Sequence, residues 1–173
     1  KKIIVSGDSN SGDFINALDY SEYRSQIEIA SITINAGCGN LYIKKEKFIK
    51  NLNNDSISCI RSGDLFSNES HDLIKNADLV IFASAWRKWE VNYIQQSYEN
   101  LIKVYGSKFL FWGNKDLDFP SVKKLYETGQ FKINTTYPKR LKTSQINDDI
   151  KVQLGEFFID PYKFFCRNKK CSV

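Results

Sequence analysis

The run DLVIFA at residues 78–83 is the sequence feature that most limits what this chain can fold into. Its apolar part is too short for a helix of its own, and polar residues bound it on both sides. Such a run is typical of a strand that is covered on both faces, as in a parallel sheet with helices above and below it. We therefore predict a central, buried strand at these residues.

Other segments predict further strands, and helical patterns separate them. Strands are predicted at residues 2–5, 27–34, 108–112 and 156–159. Apolar residues at helical spacing follow the first strand, follow the central strand up to Gly106, and recur between residues 141 and 154. This alternation predicts a three-layer α/β/α domain with a mainly parallel five-stranded sheet, as one domain over residues 1–173. The Asn-rich stretch at residues 50–58 predicts a surface excursion between the second and third strands.

Size and charge exclude several classes of partner. The chain has 173 residues, enough for one hydrophobic core, and no apolar run long enough to span a bilayer. Its net charge of +5 arises from 25 basic and 20 acidic residues that are interleaved, so we predict no nucleic-acid partner. The glycine-rich fingerprints of nucleotide sites are absent, and we predict no nucleotide.

The four cysteines carry information about the compartment. Cys38, Cys59, Cys166 and Cys171 lack C-x-x-C spacing and a nearby histidine, so we predict no metal and no other cofactor. Four cysteines allow three pairings, and the short separation of Cys166 and Cys171 favours their pairing with each other, leaving Cys38 with Cys59. Oxidised cysteines predict an extracytoplasmic protein, whereas buried free thiols in a cytosolic domain are the alternative.

The turn after the first strand is a candidate for chemistry. Gly7-Asp8-Ser9 leads from a strand into a helix, which would place the Ser9 hydroxyl at the carboxyl edge of the sheet, near the positive end of the helix. A nucleophile is useful there, and helix-start amides can stabilise an oxyanion. The alternative is that Asp8, Ser9 or Asn10 simply caps the helix.

The order of features along the chain resembles the SGNH hydrolase superfamily, whose first motif is Gly-Asp-Ser at the end of the first strand. It is most similar to the SGNH domains attached to membrane acyltransferase-3 proteins, which O-acetylate bacterial surface polysaccharides. The shared features are Cys38 in the loop after the second strand, an aspartate-led strand that ends in Trp86, and the late pair Cys166 and Cys171. The resemblance implies a flavodoxin-like sheet.

The resemblance also implies roles for individual residues. Ser9 would be the nucleophile, and its own amide would be one oxyanion donor. Gly39 would supply a second donor, with Gly37 as the alternative in the same loop. The asparagine donor that the family carries after its third strand is missing here, where the sequence reads Ala-Ser-Ala-Trp, and Asn114 is a candidate pocket residue or part of a simple turn.

Aromatic and basic residues near the ends of the predicted strands are candidates for binding substrate. Trp86 and Trp89 would either line the pocket or pack in the core, whereas Trp112, inside an apolar strand, is predicted to be a core residue. Arg87 would contact an acidic glycan, or would simply be exposed without a ligand.

The base of the reaction is the main departure from the family. SGNH enzymes use an Asp-x-x-His block near their C-terminus, and His71, the only histidine, precedes the central strand and lacks an aspartate three residues earlier. The resemblance implies that this block follows Val173. As printed, the chain is therefore expected to be truncated and nearly inactive.

The partners that the resemblance implies are a bacterial envelope glycan as acceptor and a membrane acyltransferase-3 domain as acyl donor. The chain, which contains no methionine, would then be a piece of a larger membrane protein, outside the cytosol and tethered through a preceding N-terminal domain. A carbohydrate acetylesterase of the same fold and a noncatalytic glycan-binding or assembly domain are the alternative functions.

Overall fold

The structure is a computed structural model that describes residues 1–35, 38–44, 59, 65–117, 136–167 and 170–172. The predicted excursion at residues 50–58 and the glycine at position 37 lie outside the described residues. The strands are β1 (Lys2–Gly7), β2 (Glu28–Thr33), β3 (Leu79–Ala83), β4 (Phe109–Trp112), β5 (Thr136–Pro138), β6 (Phe158–Ile159), β7 (Cys166–Arg167) and β8 (Lys170–Ser172). The helices are α1 (Ser9–Asp19), α2 (Asn68–Lys75), α3 (Lys88–Tyr105), α4 (Leu141–Leu154) and α5 (Tyr162–Phe165), with 3₁₀ turns at Arg24–Gln26 and Gly155–Phe157.

The main sheet has five parallel strands in the order β2-β1-β3-β4-β6. This confirms the predicted α/β fold with a mainly parallel five-stranded sheet. The chain moves outward from β1 to β2 in one direction, and from β3 through β4 to β6 in the other. The strand order therefore reverses between β1 and β3, and the crevice outside their carboxyl ends is the place where such sheets bind ligands.

Helices cover both faces of this sheet because its strands are apolar on both faces. Val80 and Phe82 of β3 belong to the main core cluster, together with apolar residues of α2, α3 and α4. The alternating residue Ile81 is also buried but lies outside that cluster, on the face where α1 packs on β1 and β3. The run that predicted the central strand thus fills the core on both sides.

Helices α2 and α5 and a second sheet were not anticipated from sequence. Helix α2 begins after Ser67, whose hydroxyl accepts a hydrogen bond from the amide of Ser70, as an N-cap does. A second, antiparallel sheet has the order β5-β8-β7 and consists of short, polar strands. Its strands β7 and β8 follow β6 in the chain, and Lys139, next to β5, bridges to Leu117 beyond β4, so this sheet lies near the carboxyl edge of the main sheet. There the hydroxyl of Tyr162 donates to the carbonyl oxygen of Asp116 at 2.6 Å.

Both predicted disulfides are present, Cys38–Cys59 and Cys166–Cys171. They indicate an oxidising, extracytoplasmic environment. Within the described part of the chain, no helix combines the length and the apolar character needed to cross a bilayer.

Candidate active site

The turn between β1 and α1 leaves no room for a side chain at its first position. A Cβ at Gly7 would overlap the carbonyl oxygen of Ala83 at the end of β3, because the two strands are paired there. The glycine therefore lets β1 and β3 end side by side at the point where the strand order reverses.

Asp8 fixes the start of α1. Its Oδ1 accepts a hydrogen bond from the amide of Asn10 at 3.0 Å, and its Oδ2 accepts from the amide of Ala85, after β3, at 3.0 Å. Asp8 is therefore the N-cap, the role that the sequence left open among three residues. Ser9 is the first residue of the helix and is exposed, so its hydroxyl is accessible at the carboxyl edge of the sheet.

The segment Gly39 and Asn40, after β2, is held against the ends of β1 and β3. The buried Asn40 side chain donates through Nδ2 to the carbonyl oxygen of Ser6 at 2.8 Å and to the hydroxyl of Ser84 at 3.0 Å. Its Oδ1 accepts from the hydroxyl of Ser6 at 2.8 Å. One side chain therefore joins the loop after β2 to the carboxyl ends of β1 and β3.

Trp89, on the first turn of α3, covers this segment from above. Gly39 has a φ of +80°, and a Cβ there would lie 2.6 Å from Cη2 of the indole ring. Both the backbone conformation and the ring require glycine at this position. The requirement is a packing reason for Gly39 that sequence alone does not reveal.

Glu90, the next residue of α3, is only 3 % exposed. Its Oε1 accepts from the amide of Asn40 at 3.2 Å, and its Oε2 accepts from the amide of Arg87 at 2.8 Å. Burial raises the pKa of Glu90 from 4.5 to about 7, and the nearby carboxylate of Asp8 adds to this rise. The two backbone hydrogen bonds and the charge of Arg87 act in the opposite direction but do not cancel the effect of burial on the pKa.

A small cavity of about 10 Å³ lies between these groups, about the space of one water molecule. Asp8, Gly39, Ala85 and Glu90 are among its lining residues. The structure thus brings the turn that carries Ser9 together with the loop that carries Gly39. The roles of Ser9 and Gly39 in chemistry stay predictions.

Trp86 and Asn114, two of the predicted substrate-binding residues, are bonded to each other inside the protein. The amide of Trp86 donates to Oδ1 of Asn114 at 2.7 Å, and Nδ2 of Asn114 donates back to the carbonyl oxygen of Trp86 at 2.9 Å. The indole nitrogen of Trp86 donates to the carbonyl oxygen of Trp112 at 2.7 Å. Trp86 and Asn114 are 2 % and 4 % exposed, so of the three predicted substrate contacts only Arg87 has an exposed side chain in this conformation.

Asn147 of α4 extends this arrangement. Its Oδ1 accepts from the amide of Asn114 at 2.8 Å, and its Nδ2 donates to the carbonyl oxygen of Asn114 at 2.9 Å and to Oδ1 of Asp160 at 3.2 Å. We call Trp86, Asn114, Asn147 and Asp160 the asparagine bracket. It joins the ends of β3, β4 and β6.

Trp112 is half-buried rather than enclosed in the core. Its ring contacts Phe14 of α1 edge-on at 4.9 Å and stacks on Phe164 of α5 at 6.0 Å. Phe164 is 68 % exposed, so an aromatic surface reaches solvent beside α1. Sequence reasoning missed this surface because Phe164 lies far along the chain from Trp112.

His71 lies away from Ser9. It is on α2, and its Nδ1 is 2.7 Å from the hydroxyl of Tyr105, the last residue of α3 before the chain turns into β4. It is therefore near the amino edge of the sheet, opposite the turn that carries Ser9. Among the residues that the structure describes, no cluster of His, Cys, Asp or Glu is suited to hold a metal ion.

The chain matches no protein-family model, no curated protein and no solved structure.

Proposed function

We propose that this domain transfers acetyl groups to hydroxyls of a bacterial envelope glycan through an acyl intermediate on Ser9. One observation carries the proposal: an exposed serine is the first residue of a helix at the reversal of strand order, beside the Gly39 and Asn40 segment, which is hydrogen-bonded to β1 and α3. A binding crevice is expected at that position in this fold. The Gly-Asp-Ser motif and its resemblance to SGNH domains add the reaction class.

The chemistry requires two displacements at the acetyl carbonyl. The Ser9 hydroxyl oxygen attacks the carbonyl carbon, its proton passes to a base, and the donor's leaving group departs with a proton. A glycan hydroxyl then attacks the acyl-serine, and Ser9 is released. The first amides of α1 have no partner within the helix, so the amide of Ser9 is available to stabilise the oxyanion, with Gly39 as the second donor.

In the part of the chain that the structure describes, no histidine lies beside Ser9 to act as the base. His71 lies near the opposite edge of the sheet, and the resemblance places an Asp-x-x-His block after Val173. Strand β8 runs to Ser172 in the small sheet near the carboxyl edge of the main sheet. A segment that follows β8 would thus start on the same side of the sheet as Ser9, which supports this source for the base.

Two alternatives use the same site differently. A carbohydrate acetylesterase would form the same acyl-serine and release it to water. A noncatalytic glycan-binding or assembly domain is favoured by one observation: the only histidine of the chain is remote from Ser9. The aromatic surface of Trp112 and Phe164 would suit such a domain, because flat rings stack on sugars.

The deciding experiment uses the chain continued into its native sequence after Val173, with an activated acetyl ester as donor and an oligosaccharide as acceptor. We expect acetyl-Ser9 in a quenched reaction by mass spectrometry. The Ser9→Ala variant should lose about 100- to 10,000-fold of the activity, the range of general-base catalysis that the serine exploits. Ser107→Ala, an exposed serine near the amino edge, is the matched control and should keep full activity.

The outcomes separate the three functions. Acetylated oligosaccharide indicates the transferase, whereas free acetate at the same rate with and without acceptor indicates the esterase. Equal activity of the wild type and Ser9→Ala would refute Ser9 as the nucleophile. Binding of the oligosaccharide without any turnover would favour the noncatalytic domain.

A further inference from the structure

Glu90 is a buried carboxylate for which the proposed reaction has no use. A glutamate at the third position of a helix normally accepts a bond from the amide at the N-cap, and the bond from Arg87 to Oε2 has this form. Helix capping explains one oxygen of Glu90 but neither its burial nor its second bond. Oε1 reaches out of the helix to the amide of Asn40, fifty residues away in the sequence.

The bond to Asn40 ties α3 to the segment that carries the predicted oxyanion donor. Trp89 holds the adjoining Gly39 from the same turn of α3, while the Asn40 side chain is bonded to Ser6 and Ser84. The amide of Asn40 has Glu90 as its partner. The orientation of the peptide between Gly39 and Asn40 thus depends on whether the Glu90 oxygen accepts.

We propose that Glu90 is a positioning residue whose ionised carboxylate holds the Gly39 and Asn40 segment in place beside Asp8, and whose protonation loosens it. The ionised form offers both oxygens as acceptors, one to each amide. In the protonated form one oxygen carries a hydrogen that points toward an N–H group or must rotate away from it. One of the two backbone bonds is then weakened or lost.

Burial, and after it the bonds and charges around Glu90, set the pH at which this change occurs. Asp8 faces it from the turn between β1 and α1, and Arg87 faces it from the start of α3. Among the described residues of the loop after β2, the Asn40 amide bonds to Glu90, and beyond the end of β3 the neutral Ser84 lines the same cavity as Glu90. With burial as the largest influence, the pKa of about 7 places the change near neutral pH.

The structural part of the inference does not depend on catalysis, whereas its consequence for the oxyanion rests on the proposed function. The test follows the amide signals of Gly39, Asn40 and Arg87 by NMR in the whole chain as pH is changed. We expect the Asn40 signal to titrate near pH 7 in the wild type and to be flat in Glu90→Gln. Glu99→Gln, an exposed glutamate of the same helix, should titrate as the wild type does.

Amide hydrogen exchange gives a second measurement. A glutamine offers one acceptor oxygen for two amides, so exchange at Asn40 or at Arg87 should become about 10- to 100-fold faster in Glu90→Gln, as expected when a hydrogen bond to a charged group is lost. Unchanged exchange at both amides, or an Asn40 signal that is flat in the wild type, would overturn the inference. If Glu90→Gln does not fold, the wild-type titration of a ¹³C-labelled glutamate carboxyl beside that of the Asn40 amide still decides it, since the two curves must coincide.

Activity separates this inference from the proposed function. If the chain with its native continuation turns over an acetyl ester, its rate should fall below pH 7 in step with the Asn40 titration, and Glu90→Gln should remove that part of the profile. If no turnover occurs but the Asn40 amide follows Glu90, the proposed function fails and the positioning role stands. If turnover occurs but the Asn40 signal does not depend on Glu90, the proposed function stands and the positioning role fails.

Discussion

Two polar networks at the carboxyl edge of the sheet use buried asparagines in different ways. Around Asn40, the network joins the loop after β2 to the ends of β1 and β3, contains the buried Glu90 and borders a small cavity next to the turn of Ser9. Around Asn114, the asparagine bracket joins β3, β4 and β6, and the Asn114 side chain has both of its polar atoms bonded to the Trp86 backbone.

The two networks differ in whether their groups can change charge or orientation. The asparagine bracket is built from neutral groups bonded mostly to backbone, and its one acid, Asp160, is only half-buried. The Asn40 network includes an acid whose charge changes near neutral pH, and hydroxyls that are free to rotate. A network like the asparagine bracket stabilises the fold, whereas one like the Asn40 network can also respond to its surroundings.

The largest expected effect on stability comes from adding a methyl group at a glycine, and it should differ between the two regions. Gly7→Ala should cost about 4 kcal/mol or prevent folding, because the new methyl would overlap backbone of β3 that cannot move away. Gly113→Ala should cost about 2 kcal/mol, since its methyl would meet the side chains of Phe158 and Asn147, which can shift. Urea unfolding measures both, and a larger loss at Gly113 would contradict the comparison.

Removing the two asparagines tests the networks themselves. Asn114→Ala leaves the buried carbonyl oxygen of Trp86 without its partner, at about 3 kcal/mol, and leaves the Trp86 amide with its bond to the carbonyl oxygen of Ser84 alone, at about 1 kcal/mol, so about 4 kcal/mol in all. Asn40→Ala should cost about 3 kcal/mol, because two of its partners are hydroxyls, one a donor and one an acceptor, which can rotate to other partners. Urea unfolding measures both losses. A larger loss in Asn40→Ala would show that the Asn40 network stabilises the fold more than the asparagine bracket does.

The pH dependence of stability tests whether only the Asn40 network titrates. The pKa of Glu90 is raised from 4.5 in the unfolded chain to about 7 in the fold, so the folded state binds the proton more tightly between these values. Its contribution to the free energy of unfolding is therefore present below about pH 4.5 and is lost as pH rises to about 7, a fall of about 3 kcal/mol. The Glu90→Gln variant should not show this pH-dependent fall in the free energy of unfolding.

The check compares urea unfolding of the wild type, Glu90→Gln and Glu99→Gln at about pH 5 and about pH 8. The difference between wild type and Glu90→Gln should change between the two pH values, and the difference between wild type and Glu99→Gln should not. An identical pH dependence in all three proteins would assign the titration elsewhere.

The smallest expected effect on stability comes from removing the disulfides, one of which lies beside each region. Cys38–Cys59 closes a loop with a separation of 21 residues and Cys166–Cys171 one of 5. The loop-entropy model predicts losses of about 3 and about 2 kcal/mol when each pair is replaced by serines. Thermal unfolding of the two double variants checks the order, and a greater loss from the shorter loop would mean that contacts of the small sheet outweigh loop entropy.

Much of the main sheet could be predicted from the sequence because its strands are apolar or β-branched runs. Residues 78–83 predicted β3 to within one residue: Asp78 lies outside the strand, and its carboxylate accepts from the amide of Lys2 at 2.7 Å. By contrast, β5 and β8 are short and polar, and neither has an alternating pattern. Their pairing depends on contacts between distant segments, which periodicity does not encode.

The site could be predicted only in part for the same reason. Gly7-Asp8-Ser9 is a local signal, and the structure places it at the carboxyl edge of the sheet as predicted. Glu90 looks in the sequence like an ordinary exposed capping residue, and Asn40 like a loop residue. Their burial and mutual bond arise from the packing of α3 on the loop after β2, which no spacing in the chain reveals. From the sequence, Trp86 could be identified only as an aromatic residue that follows a strand.

The position of Trp89 over Gly39 gives the protein a built-in optical reporter. Indole emission depends on contact with nearby groups and on access of water, and Trp89 is the indole that touches the loop held by Glu90. The other two tryptophans are Trp86 and Trp112, so a variant with phenylalanine at both would emit from Trp89 alone. Its fluorescence would then follow motions of the Gly39 loop in real time, without a label and without knowledge of the substrate.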